Sequence, residues 1–219
     1  MIVPRVVAID GAAGSGKSTL GRRLARALAL PYVNTGLMYR ALAAAALRAE
    51  VASDDQDRLL ELTRALRFIV RLDPPGQLEV VTLDLEALTD VEVESTVSAV
   101  ASHPVVRAHM RWEQRSLGEA HGAVMEGRDI ASVVFADAPV KLYLQARPEL
   151  RARRRVGERA GGPEEIEAAL HGRDARDAQT NPHEPASGAV VIDTSELDAD
   201  ETLEAALEVV RVLAPELLS

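Results

Sequence analysis

Cysteine is absent from the 219-residue chain. That excludes disulfides, thiol catalysis and cysteine-ligated zinc. It is compatible with a reducing, cytoplasmic setting. No apolar run approaches the roughly 18 residues of a membrane span. The N-terminus lacks a basic stretch followed by a long apolar one, so no signal peptide is expected. Aromatic residues make up only 3%, too few for a platform that stacks single-stranded bases. Net positive charge is also missing: the formal charge is −9, which argues against a nucleic-acid-binding face. A nucleotide needs only a local cluster of positive groups. Finally, lysine is almost missing, at two of 25 basic residues. What is present is ordinary: 47% apolar residues suffice for the core of one domain spanning 1–219.

One of the two lysines sits in Gly11-Ala12-Ala13-Gly14-Ser15-Gly16-Lys17-Ser18-Thr19. The segment fits G-x-x-x-x-G-K-[ST], the phosphate-cradling P-loop. A compact ammonium can follow a phosphate along such a loop, and a planar guanidinium is a poor substitute. Val6-Val7-Ala8-Ile9 before it reads as a buried strand, and Leu20, Leu24, Ala27 and Leu28 after it have helical spacing. Strand, glycine loop and helix is the order the motif requires. The glycines let backbone N–H groups turn toward phosphate oxygens, and the helix N-terminus adds partial positive charge. Lys17 is expected at the β- and γ-phosphates and Ser18 at Mg²⁺.

Strands are expected near residues 4–10, 31–34, 122–126, 140–145 and 189–193. Helices are expected near 17–29, 37–49, 55–65, 89–101, 103–119, 147–160, 163–180 and 199–214. The alternation reads as α/β with a five-stranded parallel sheet. One stretch interrupts it. Arg67 to Leu72, then Asp73-Pro74-Pro75-Gly76, then Gln77 to Thr82 has the character of a hairpin. Residues of about 62–98 are read as a small β-containing insertion over one end of the sheet, shaping a second substrate site.

Three arginine-bearing segments fall at the expected carboxyl ends of strands or beside them: Asn34-Thr35-Gly36-Leu37-Met38-Tyr39-Arg40, Glu126-Gly127-Arg128-Asp129 and Arg173-Asp174-Ala175-Arg176-Asp177. Arginine binds phosphate in bidentate fashion. Arg40, Arg128 and Arg173 are therefore candidates for a phosphate clamp.

With these motifs the chain resembles the bacterial cytidylate kinases, nucleoside monophosphate kinases of the P-loop class. The likeness also runs through Ser98, Pro104-Val105-Val106-Arg107, Gln114-Arg115, Val133-Val134-Phe135, Asp137 to Lys141 and Asp193-Thr194. It implies a three-layer kinase fold with a core of 1–61, 99–153 and 164–219, a monophosphate-binding insertion at about 62–98 and a lid at about 154–163. It implies an ATP-dependent transfer to CMP or dCMP by a monomer. Arg40 and Arg128 resemble the arginines on the acceptor phosphate, with Thr35 and Tyr39 lining that site. Ser98, Arg107 and Asp129 match positions that read the cytosine edge. Arg173 and Asp177 match positions at the pentose and phosphates. Arg151, Arg154, Arg155 and Arg159 are candidates to neutralise transferring charge, and Arg154 and Arg155 are assigned to ATP. The chain departs from the family at Thr180, where arginine is usual, and Arg176 is the expected substitute.

The acceptor phosphate is already an anionic nucleophile, so no general base is expected. Catalysis then rests on alignment and on fixed positive groups. Closure of the insertion and lid would exclude water. Ala189 to Asp193 imitates a strand ending in a magnesium-binding aspartate but reads as an ordinary core strand. The five histidines show no ligand spacing. Other readings are a uridylate, adenylate or shikimate kinase, a nucleotide-dependent switch, or a non-catalytic ATP-binding protein. The guanine-reading Asn-Lys-x-Asp of a GTPase switch is absent.

Overall fold

The structure, a computed structural model, describes residues 4–72, 75–80, 91–156 and 184–218. The five expected parallel strands form: β1 (Val6–Gly11), β2 (Tyr32–Asn34), β5 (Ala123–Gly127), β6 (Val140–Gln145) and β7 (Val190–Asp193). Their order is β2-β5-β1-β6-β7, parallel at every junction. The expected hairpin is β3 (Phe68–Leu72) with β4 (Pro75–Val80), paired antiparallel. It does not stand clear of the sheet. Through Tyr32 opposite Gln77, β4 joins β2 and extends the sheet to seven strands. The expected insertion boundary at 62 also falls within a helix, α3 (Gln56–Ala65).

The other helices are α1 (Lys17–Ala27), α2 (Thr35–Arg48), α4 (Val91–Val100), α5 (Pro104–His121), α6 (Pro148–Val156) and α7 (Ala199–Leu213). The helix expected at 163–180 lies outside the described residues. A π-helical turn at Ile130–Val134 follows β5.

The apolar run in β1 shows why a central strand needs no alternation. Val6 and Ala8 join a core with α2, α3, α4 and α5, whereas Val7 and Ile9 join one with α1 and α7. Successive side chains point to opposite faces, and helices cover both. The three-layer arrangement leaves polar chemistry to the strand ends. Among the described residues no helix is long and apolar enough to cross a membrane.

Candidate active site

The carboxyl end of β1 turns directly into the glycine loop. At Gly11 (φ +148°) a Cβ would stand 2.2 Å from the Leu144 carbonyl of β6. Only glycine admits that approach. Gly16 caps α1 in the left-handed region, and neither a side-chain cap nor an acidic residue occupies the helix's first turn. The first N–H groups of α1 and their partial positive charge are thus directed at whatever enters the loop.

Three cations rest on successive carbonyls of this loop. Arg128 Nη1 donates to Gly11 O at 3.0 Å, Lys17 Nζ to Ala12 O at 2.7 Å and Arg151 Nη1 to Ala13 O at 3.2 Å. Arg154 donates to the Thr194 hydroxyl at 2.9 Å and carbonyl at 2.7 Å, and Thr194 Oγ1 donates in turn to Ser15 O. The base of α6 is thereby tied to the loop from two sides. Arg155 lies in the last turn of α6, where only the backbone is described. Arg159, Arg173, Arg176, Asp177 and Thr180 lie outside the described residues.

A cavity of about 1140 Å³ runs from this loop to α4. Its wall includes Ala13 to Thr19 and Arg154 at one end, and Thr35, Tyr39, Arg40, Ser98 and Arg107 at the other. Arg128 and Asp129 lie between them. Gly11 and Ala12 lie behind the wall, as part of the loop's backbone support. Every described candidate side chain from Thr35 to Asp129 thus borders one space.

Several of them are held by local structure. Thr35 opens α2 and donates to Glu126 O at 2.7 Å, which fixes α2 against the end of β5. Tyr39, one turn on, hydrogen-bonds Gln114, and burial pushes its phenol up to about 12, so it stays neutral. Arg40 faces Glu94 of α4 at 3.6 Å. Asp129 is nearly buried, and its Oδ2 accepts from Arg107 Nη2 at 2.8 Å and from Arg111 Nε and Nη2 at 3.1 and 2.8 Å.

Sequence reasoning missed four members of the site. Asp10 is buried at the end of β1 and accepts the N–H groups of Ile130 at 3.0 Å and Ala131 at 2.8 Å. With Arg128 on Gly11, this joins the glycine loop and the Arg128–Asp129 turn into one piece. Burial raises the Asp10 carboxyl to about 6 against the two N–H bonds, and nearby Lys17 pulls the other way. Glu126 is only 3% exposed; its Oε1 accepts from Tyr32, and its Oε2 has no partner among the described residues. Burial, together with Glu126, holds the Tyr32 phenol far above its usual range, and Ser18 hydrogen-bonds the same oxygen. Arg111 is the fourth. A charged residue closing an apolar strand (Asp10, Glu126), and two arginines one helical turn apart (Arg107, Arg111), were the available signals. Asp193, by contrast, is exposed, accepts from Ser195 N at 2.8 Å and lies away from the cavity wall. It terminates a strand, as expected.

A glycine loop between a central parallel strand and its helix, facing a cleft bordered by arginines, defines an α/β protein of the P-loop class that binds nucleoside phosphates. The sequence model described as cytidylate kinase matches residues 7–212. A cytidylate kinase of Corynebacterium efficiens is 41% identical over 209 residues, covering 90% of each chain. One of Geobacillus kaustophilus is 41% identical over 215 residues, covering 93% of this chain and 95% of the relative. A third, of Deinococcus radiodurans, is 43% identical over 202 residues, covering 90% and 95%. The chain belongs to the cytidylate kinase family.

Proposed function

We propose that this protein transfers the γ-phosphoryl group of ATP to CMP or dCMP, giving ADP and CDP or dCDP. The observation that carries the proposal is the single cleft joining the glycine loop to Thr35, Tyr39, Arg40, Ser98, Arg107, Arg128 and Asp129. In the reaction an oxygen of the acceptor phosphate bonds to the γ-phosphorus, and the bond from that phosphorus to the β–γ bridging oxygen breaks. ADP leaves with that electron pair. The attacking oxygen is already anionic, so no protein group removes a proton.

The residues act by position and charge. Loop N–H groups and Lys17 hold the donor phosphates. Arg40 and Arg128 orient the acceptor phosphate in line, and Arg154 and Arg155 neutralise charge on the donor side. Lys17, Arg128 and Arg151 each exchange a carbonyl contact for phosphate oxygen, a stronger partner because both groups are charged. Arg40 exchanges Glu94 in the same way. Ser98, Arg107 and Asp129 read the base, and Arg173 and Asp177 complete the sugar and phosphate contacts.

Mg²⁺ fits the donor end. Glu126 Oε2 is a buried carboxylate oxygen without a partner among the described residues, and Tyr32 bridges Glu126 to Ser18. Among the described residues no three acidic or histidine side chains cluster, so Ser18 and Glu126 would hold an ion that takes its other ligands from phosphate and water. When bound, Mg²⁺ offsets charge on the β- and γ-phosphates. We place the enzyme in cytoplasmic pyrimidine nucleotide metabolism, acting as a monomer. An ADP-release assay tests the reading. ADP should appear with CMP and Mg²⁺ present and fall to background when either is omitted. Equal ADP release without any acceptor would make the protein an ATPase.

A further inference from the structure

Among the described residues, all the side-chain hydrogen bonds that Asp129 accepts fall on one oxygen. Oδ2 takes one from Arg107 and two from Arg111. A carboxylate offers about four lone-pair positions over its two oxygens. Three donors saturate Oδ2, and among the described residues none reaches Oδ1. Arg107 and Asp129 both border the cavity, whereas Arg111 lies off its wall, behind Asp129. Arg111 is nevertheless the larger contributor, with two of the three bonds. Arg107 and Arg111 are one helical turn apart on α5, so their like charges face each other. Asp129 is the group that reconciles them.

We propose that Arg111 is a positioning residue that sets the preference for an amino-bearing pyrimidine over its keto counterpart. The inference rests on reading the cavity as the acceptor-base pocket proposed above. By loading Oδ2 from behind, Arg111 presents Oδ1 to the pocket as a pure acceptor. The exocyclic amine of cytosine donates to such an oxygen. The O4 of uracil brings lone pairs against it and leaves both acceptors unpaired, which a buried site penalises. Without Arg111, a single bond from Arg107 restrains the carboxylate. Asp129 can then rotate, and an N–H of Arg107 can turn to meet O4. Discrimination falls although no group in contact with the base has been changed.

The experiment compares kcat/KM for CMP and for UMP in the wild type, Arg111→Leu and Arg111→Lys. In Arg111→Leu, kcat/KM for CMP should fall about tenfold, the scale of one lost charge-assisted hydrogen bond. The value for UMP should hold or rise, so the CMP/UMP ratio drops by at least that factor. Arg111→Lys, which restores charge and one donor, should recover part of the ratio. Leucine suits a helix, and the Arg111 side chain is one-third exposed. If that variant nevertheless fails to fold, Arg111→Gln provides the same reading. An equal loss for both substrates, or an unchanged ratio, would assign Arg111 to fold stability and overturn the proposal. A wild type without preference for CMP would sink the base-pocket reading itself. A wild-type preference kept intact by the variants would sink this inference alone.

Discussion

Asp10→Asn separates the stability of this fold from its chemistry. The Asp10 carboxylate is held at about 6 against an ordinary 3.8, with burial as the largest cause. A carboxyl whose folded pKa exceeds its unfolded one binds more protons folded than unfolded between the two values. Its contribution to stability therefore falls as pH rises through that window. At about 1.4 kcal/mol per pKa unit, the ionised carboxylate costs on the order of 3 kcal/mol near neutral pH. Asparagine removes that cost. It also replaces one of two acceptors with an amide N–H₂, leaving the N–H of Ile130 or Ala131 unpaired at about 1–3 kcal/mol. The terms nearly cancel, so near pH 7 the variant should match wild-type stability to within about 1–2 kcal/mol. At about pH 4.5 the wild type regains about 2 kcal/mol that the variant cannot. Urea unfolding at several pH values measures this, and the difference between the two proteins isolates Asp10 from other titrating groups. A difference that stays flat from about pH 7 to 4.5 would mean that folding does not raise the Asp10 pKa. Activity should fall even where stability does not, because the Arg128–Asp129 turn loses half its anchor on β1.

Three further outcomes follow from the same geometry. Lys17→Ala should abolish ATP-to-CMP transfer while circular dichroism and thermal midpoint stay near wild type; near-normal turnover would sink the assignment. Glu126→Gln should raise the Mg²⁺ concentration for half-maximal rate about tenfold or more, with Tyr32 still able to donate to the amide oxygen. An unchanged Mg²⁺ dependence would remove Glu126 from the donor site. Gly118→Ala places a Cβ 2.4 Å from the ring of fully buried Phe135. Overpacking of about 1–3 kcal/mol, less up to about 1 kcal/mol of helix propensity gained, should lower the thermal midpoint, and a rise would contradict it.

The sequence made the strand–loop–helix unit at Gly11–Thr19 legible because every signal in it is local. The five core strands were legible for a similar reason: each is a short apolar run bounded by turn residues. The hairpin's strands could also be read, but its attachment to β2 could not. That junction is one pairing between residues 32 and 77, and no local pattern encodes it. The missed site residues are of the same kind. Asp10 reaches across 120 residues to its amide partners, Tyr32 across 94 to Glu126, and Arg111 across 18 to Asp129. Their side chains are unremarkable until the fold brings the partners together. The family resemblance supplied Arg107 and Asp129 but was silent on Arg111.

The cleft beside Lys17 should take a cytidine monophosphate as phosphoryl acceptor. Steady-state kcat/KM for CMP, dCMP, UMP, AMP and shikimate, measured with ATP and Mg²⁺ by coupled ADP release, tests it most directly. CMP or dCMP should be the best acceptor, with CDP or dCDP formed in equal amount to ADP. A higher kcat/KM for AMP, UMP or shikimate, or ADP formed without a phosphorylated acceptor, would contradict it.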